Sequence, residues 1–193
     1  MNLILASGSP RRRELLNQMG LTFTVKPVDA DESLTPGLSP REQVKLLSLR
    51  KAQAAAESFG PEPVILTADT VVVLGDTILG KPRDTEDAKK MLLALSGTRH
   101  LVLTGVTVTR DGRFETDCIA TEVHFRSLSE AEIDAYIASK EPMDKAGAYG
   151  IQGLGGLFVE KLVGDYFNVV GLPICRTGQM LRAFGIPILE EAL

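Results

Sequence analysis

Ala6-Ser7-Gly8-Ser9-Pro10-Arg11-Arg12-Arg13 sets three consecutive arginines where a helix should begin, at the end whose macrodipole and unpaired N–H groups repel cations. A bound polyanion resolves that conflict: backbone amides of the Ser-Gly-Ser turn and guanidinium forks would close around it, and phosphate is the natural candidate. A capped surface helix, with Ser9 as N-cap and Pro10 at N1, accounts for the cap but not for the cluster. The second chemical signal is Asp69, which interrupts the apolar run Val64 to Leu74. A carboxylate there is costly to desolvate unless a metal, a cation or a hydrogen-bond network compensates it, so Asp69 marks an active site or bridges a strand end.

Around these two signals stand weaker ones. Asp31 and Glu32, in the acidic loop Asp29-Ala30-Asp31-Glu32, could join Asp69 on a hard divalent cation, Glu32 more readily than Asp31; an acidic loop is otherwise simply solvated. Lys51 and Lys81 each lie beside a predicted rigid element and would help neutralise a triphosphate if they converged with the arginine turn. His100 and His124 have no serine or cysteine partner in a recognisable motif and are expected to pack or face solvent.

The elements that must position these residues follow from capping and periodicity. Asn2 to Ala6 reads as a buried strand feeding a helix over Pro10 to Met19, and Phe23 to Val28 as a second strand. Ser39-Pro40-Arg41-Glu42 is a capping box opening a helix that reaches Phe59. Val64 to Leu74 is a strand covered on both faces, Gly75-Asp76 a turn, Thr77 to Leu79 a short return strand, and Thr85 to Leu95 a helix after Gly80-Lys81-Pro82. Leu101 to Thr109 and Phe114 to Phe125 pair around Asp111-Gly112, and a second capping box at Ser129 opens a helix to Ser139. Asp144 to Gly156 is a glycine-rich structured loop; Leu157 to Leu162 and Tyr166 to Val170 read as strands, before a last helix from Pro173 to Phe184.

Composition bounds the reading. With 193 residues and 44% hydrophobic content, the chain suits one domain or two lobes. The formal net charge of −4 argues against a broad nucleic-acid footprint and for a local anion site such as a nucleotide would need. Cys118 and Cys175 suit neither a disulfide framework nor a zinc site and are expected to be buried fillers. Neither a signal peptide nor a membrane span is evident, so a cytoplasmic protein is expected.

Ser-Gly-Ser-Pro-Arg-Arg, Ala-Asp-Thr within an apolar strand, Gly-Lys-Pro after it, and Asp144-Lys-Ala-Gly-Ala-Tyr-Gly-Ile-Gln-Gly together closely resemble the Maf family of nucleoside triphosphate pyrophosphatases, in order and spacing over nearly the whole chain. The resemblance implies an α/β fold related to the inosine triphosphate pyrophosphatases, a mixed twisted sheet with flanking helices and two lobes around a central cleft, in one domain over residues 1–193. It implies Asp69 as catalytic acid/base, Ser7, Arg11, Arg12, Lys51 and Lys81 as phosphate contacts, and Glu32 with Asp69 as metal partners for magnesium or manganese. The loop Asp144 to Gly153 is similar to the branch acting on dTTP and UTP, ordinary or modified, with Arg11, Thr70 and Gln152 at the specificity positions. The Gln152 amide is complementary to the uracil or thymine edge. A homodimer is also implied. Two other readings stay open: a hydrolase of non-standard purine triphosphates, and a non-catalytic nucleotide sensor of septum formation.

Overall fold

Residues 2–189 are described here in a computed structural model. Along the chain run β1 (Leu3–Leu5), α1 (Pro10–Gln18), β2 (Thr24–Val25), α2 (Pro40–Phe59), β3 (Val64–Leu74), β4 (Thr77–Leu79), α3 (Thr85–Leu95), β5 (Arg99–Arg110), β6 (Arg113–Phe125), α4 (Glu130–Ala138), β7 (Val159–Val163), α5 (Tyr166–Val170) and α6 (Ile174–Ala183), with three 3₁₀ turns between α4 and β7. The strands form a seven-stranded mixed sheet in the order β2-β1-β3-β5-β6-β7, with β4 paired to β3. β1 is parallel to both β2 and β3, whereas the β3–β4 and β6–β7 pairs are antiparallel. The mixed α/β class expected from the sequence is the one observed.

Capping decides where the helices begin. At α2 the Ser39 hydroxyl accepts from the Glu42 N–H at 3.4 Å while the Glu42 carboxylate accepts from the Ser39 N–H at 2.8 Å, the reciprocal box read from the sequence. Ser129 and Glu132 repeat it at α4. Asp111 and Gly112 both take positive φ, 50° and 75°, as a tight two-residue hairpin turn requires.

Three expectations are corrected. Tyr166 to Val170 is the helix α5, not a strand, because Asp165 caps it by accepting from the Phe167 and Asn168 N–H groups at 2.8 and 3.3 Å. The strand expected over Leu157 to Leu162 begins at Val159, its first residues being consumed by a 3₁₀ turn over Leu154–Phe158. Cys118 is buried as expected, but Cys175 is exposed on α6.

The described chain divides into two compact units. The first holds the residues through Asp69, Thr104–Ile119 and those from Gly171 onward; the second holds Thr70–Leu103 and Ala120–Val170. In the first, Ile4, Ala6, Ala55 and Ile65 form an apolar cluster on which Val28 and Phe59 pack. Here α2 lies flush on β5 at Gly105, where an added Cβ would collide with the Val44 carbonyl oxygen and stand 2.7 Å from its carbon. A polar chain ties the same helix to the sheet: the Ser48 hydroxyl bonds Thr107 at 2.9 Å, and Thr67 donates to the Ser48 carbonyl at 2.7 Å.

In the second unit, Val72, Leu92, Val102, Phe125, Ile133, Tyr149 and Phe158 build a separate core from β3, α3, β5, β6 and α4. His100 is buried in it, edge-on to Phe125 and Tyr149, with Nε2 hydrogen-bonded to the Tyr149 hydroxyl at 2.8 Å. Its Nδ1 is buried without a hydrogen-bond partner among the described residues. Burial holds this imidazole neutral and lowers its pKa to about 4. His124 instead pairs with Glu122 at 2.7 Å on the half-exposed part of β6.

Gly105→Ala should destabilise the protein by at least about 1–3 kcal/mol in urea unfolding, whereas Gly80→Ala, with nothing within 4 Å of its Cβ, should be nearly neutral. A second expectation concerns acid. The unfolded chain takes a proton at the ordinary histidine value of 6.5 while folded His100 resists until about 4, so its contribution to stability is complete above that ordinary value and lost as pH falls between the two. Melting profiles from pH 8 to pH 4.5 should therefore fall less steeply for His100→Gln than for wild type; parallel profiles would place the acid sensitivity elsewhere.

Candidate active site

The first unit contains most of the residues singled out from the sequence, and local structure explains how they meet. Ser9 caps α1, accepting from the Arg12 N–H at 3.5 Å, and its own N–H donates to the Ser7 hydroxyl at 3.3 Å. That turn folds the Arg12 side chain back: one guanidinium N–H donates to Ser7 Oγ at 3.2 Å, and Nε donates to the Gly171 carbonyl at 2.9 Å, 159 residues away. Arg12 is thus a fixed cation, while Arg13 is exposed. Burial disfavours the charged form of Arg12 and holds its pKa below the ordinary value; the carboxylates of Asp69 and Glu32 act against that, and neighbouring Arg11 adds to it. The turn and the acid of β3 therefore share one electrostatic environment.

Lys51 is where α2 meets that acid. Its ammonium lies 2.5 Å from Asp69 Oδ1 and 2.7 Å from Glu32 Oε1, with only 14% of its side chain exposed, against 16% for Asp69 and 66% for Glu32. The desolvated carboxylate in the apolar strand is compensated by a cation, one of the alternatives the sequence left open. In this state Lys51 spends its charge on two carboxylates.

Glu32 is held in place by partners that the sequence reading missed. Arg50, next to Lys51 on α2, donates to the Ser33 carbonyl at 2.8 Å and the Thr35 hydroxyl at 3.0 Å, and pairs with Asp31 at 3.5 Å. Buried Gln43 both accepts from the Thr35 N–H at 3.0 Å and donates to its carbonyl. Asp31 turns onto the Ser33 hydroxyl and N–H at 2.9 and 2.8 Å, which together hold its carboxyl below the ordinary range. It caps its own loop and leaves Glu32 as the residue facing Lys51. The only available signal for Arg50 and Gln43 was their position on the capped helix, seven residues apart and on one face.

Thr70, Lys81 and Gln152 belong to the second unit. Thr70 follows Asp69 on β3 and is half-buried. Lys81 is exposed on the loop before α3, next to Gly80, whose carbonyl accepts from the Gly147 N–H at 3.0 Å. Gln152 is exposed in the turn between two 3₁₀ segments of the glycine-rich loop.

The donor set can be tested against a metal. No group of three His, Cys, Asp or Glu side chains among the described residues is arranged to hold one. Glu32 and Asp69 nevertheless face one cationic point at Lys51 Nζ. Two carboxylates suit a magnesium-type ion that arrives with phosphate oxygens and keeps water in its shell; they do not make a protein-only cage.

A fixed arginine thus sits in a serine turn at a helix N-terminus, in electrostatic contact with a lysine-paired carboxylate on a central strand of a mixed α/β fold. The chain belongs to the Maf family: the model described as Maf-like protein matches residues 2–184. A dTTP/UTP pyrophosphatase of Anaeromyxobacter dehalogenans is 54% identical over 193 residues, covering 98% of this chain and 97% of that protein. One of Vibrio cholerae is 52% identical over 182 residues, covering 94% and 97%. Among solved structures, a nucleoside-triphosphatase / dITP/XTP pyrophosphatase of Mycobacterium abscessus has 13% identity and a TM-score of 0.46 over 97% of this chain and 98% of that one, a likeness too slight to bear on fold or activity. No helix among the described residues is long and apolar enough to cross a membrane.

Replacing Lys51 by methionine should leave Asp69 and Glu32 facing each other without their shared ammonium. We expect a loss of about 1–3 kcal/mol in chemical unfolding at pH 7, and an unchanged midpoint would show that Lys51 does not compensate Asp69.

Proposed function

We propose that this protein hydrolyses dTTP and UTP to the nucleoside monophosphate and pyrophosphate, with residues 1–193 acting as one nucleotide pyrophosphatase domain. The observation that carries the reading is the cluster of Arg12, Lys51, Glu32 and Asp69: two cations and two carboxylates gathered beside a helix N-terminus. Relatives named dTTP/UTP pyrophosphatase at 54% and 52% identity support the choice of substrate, and the family match runs through both compact units.

The residues divide the work by charge. The Ser7 hydroxyl, the Arg11 and Arg12 guanidinium groups and Lys81 hold the triphosphate, and Arg12 needs little reorganisation because Ser7 and Gly171 already fix it. Lys51 moves its charge from the carboxylates to the incoming phosphates. Glu32 and Asp69 would hold a magnesium or manganese ion, which when bound supplies charge neutralisation and polarisation of the α-phosphorus. Asp69, released from Lys51 as that ammonium turns to the phosphates, orients a water and takes its proton. The water oxygen bonds to the α-phosphorus, the bond from that phosphorus to the bridging oxygen breaks, and pyrophosphate leaves with the electron pair. Arg11, Thr70 and Gln152 set substrate preference, Gln152 by pairing its amide with the imide edge of uracil or thymine. The cytoplasm is the compartment that offers such substrates.

Pyrophosphate release from a panel of nucleoside triphosphates, with and without magnesium, tests this. Release from dTTP and UTP should exceed that from CTP, ATP and GTP, require the ion, and fall at least about 100-fold in Asp69→Asn with the fold intact. Equal activity in that variant, or no preference for dTTP and UTP, would overturn the reading.

A further inference from the structure

We propose that Tyr136 and Glu141 are positioning residues that fix the loop carrying Gln152 and thereby set the base preference, an inference that rests on the substrate reading above. The pair sits within the second unit, on α4 and on the 3₁₀ turn Glu141–Asp144 that follows it. Buried Tyr136 donates its hydroxyl to Glu141 Oε1 at 2.9 Å and accepts from the Gly150 N–H at 3.1 Å. Glu141 then accepts from the Leu154 N–H through Oε2 at 3.0 Å and from the Gly155 N–H through Oε1 at 3.1 Å. Gln152 stands between these anchors, two residues after Gly150 and two before Leu154, with its own side chain exposed.

The glycines of this segment are explained by the same contact. A Cβ on Gly153 would lie 2.5 Å from the Glu141 carboxyl carbon, and one on Gly155 would lie 2.7 Å from the Tyr136 hydroxyl oxygen. The loop lies flush on the pair because it has no side chains there. Burial raises the Glu141 carboxyl, but the two backbone donors and the tyrosine hydroxyl outweigh it and hold the group ionised, which keeps it an acceptor for all three. Lys145 closes the base of the loop by donating to the Glu141 carbonyl and to Asp144, both at 2.6 Å.

Clamping matters because pairing an amide with an imide needs two hydrogen bonds at once. A displaced glutamine keeps at most one bond to uracil, and a single bond is one that cytosine offers equally well. Discrimination needs the backbone beneath it held to within about 0.5 Å. Neither Tyr136 nor Glu141 has to touch the nucleotide for this: Tyr136 holds the backbone before Gln152 and Glu141 the backbone after it.

The test measures kcat/KM for UTP and CTP in wild type, Glu141→Gln, Gln152→Ala and the double variant, with melting temperatures. Glu141→Gln keeps the shape but sets an amide NH₂ against a backbone donor. It should lower the UTP-to-CTP ratio about 10-fold, mostly through KM for UTP, and should add nothing to the ratio in the Gln152→Ala background. Equal losses on both substrates, or an additive effect in the double variant, would overturn the proposal. Should Glu141→Gln fail to fold, Tyr136→Phe, which removes only the hydroxyl, decides on the same ratio. A wild-type enzyme that favours neither UTP nor dTTP would instead contradict the substrate reading, in an arm measured separately.

Discussion

A carboxylate in the middle of an apolar strand must be given a counter-charge, and the first unit is organised around supplying one to Asp69. The neighbours of Asp69 on β3 from Val64 to Ala68 are all buried, so water cannot do the work. Lys51 does it, from a helix whose depth against the sheet is set by backbone contact at Gly105 and by the Ser48 to Thr107 and Thr67 to Ser48 hydrogen bonds. A shift of α2 by even part of an ångström would loosen the ion pair. The packing of an ordinary amphipathic helix and the chemistry of the site are one constraint.

The same helix also disciplines the loop that approaches from the other side. Gln43 and Arg50 hold the backbone from Asp31 to Thr35, so that exposed Glu32 reaches Lys51 without being buried itself. Arg12 is fixed independently through Ser7 and Gly171. Two cations and two carboxylates are balanced before any ligand arrives, and a polyanion with its own cation can replace the internal pairing without leaving a bare buried charge. Under the proposed function, that exchange would let a partly buried ion pair serve as a resting state instead of a dead end.

Capping and turn chemistry made much of this legible in the sequence. The ends of α2, β3 and β4 lie where the Ser39 box and the Gly75-Asp76 turn put them, and α3 spans the expected Thr85 to Leu95, with Asp84 as the N-cap that the structure adds. Tyr166 to Val170 misled because a short aromatic and β-branched run reads as strand, and one Asp165 cap outweighs it. Arg12 and Asp69 could be singled out by conflict with their surroundings: a cation at a helix N-terminus, a carboxylate in a strand. Their pairings were less legible. Gly171 offers only a carbonyl, Lys51 stands out as a phosphate contact but not as the counter-charge of Asp69, and Arg50 and Gln43 matter through loop geometry that no local pattern encodes. The clamp of Tyr136 and Glu141 was hidden for the same reason: the segment reads as a structured loop, but nothing local in it says that its glycines let a carboxylate lie against the backbone.

The most direct measurement of the central claim is a crystal structure with a non-hydrolysable α,β-imido analogue of dTTP and manganese, the metal located by its anomalous signal. The account predicts phosphate oxygens on Arg12 and the Ser7 turn, manganese against Glu32 and Asp69, and the Lys51 ammonium moved from the carboxylates onto phosphate. A triphosphate bound away from that cluster, or a Lys51 still seated between Glu32 and Asp69 with the nucleotide in place, would contradict it.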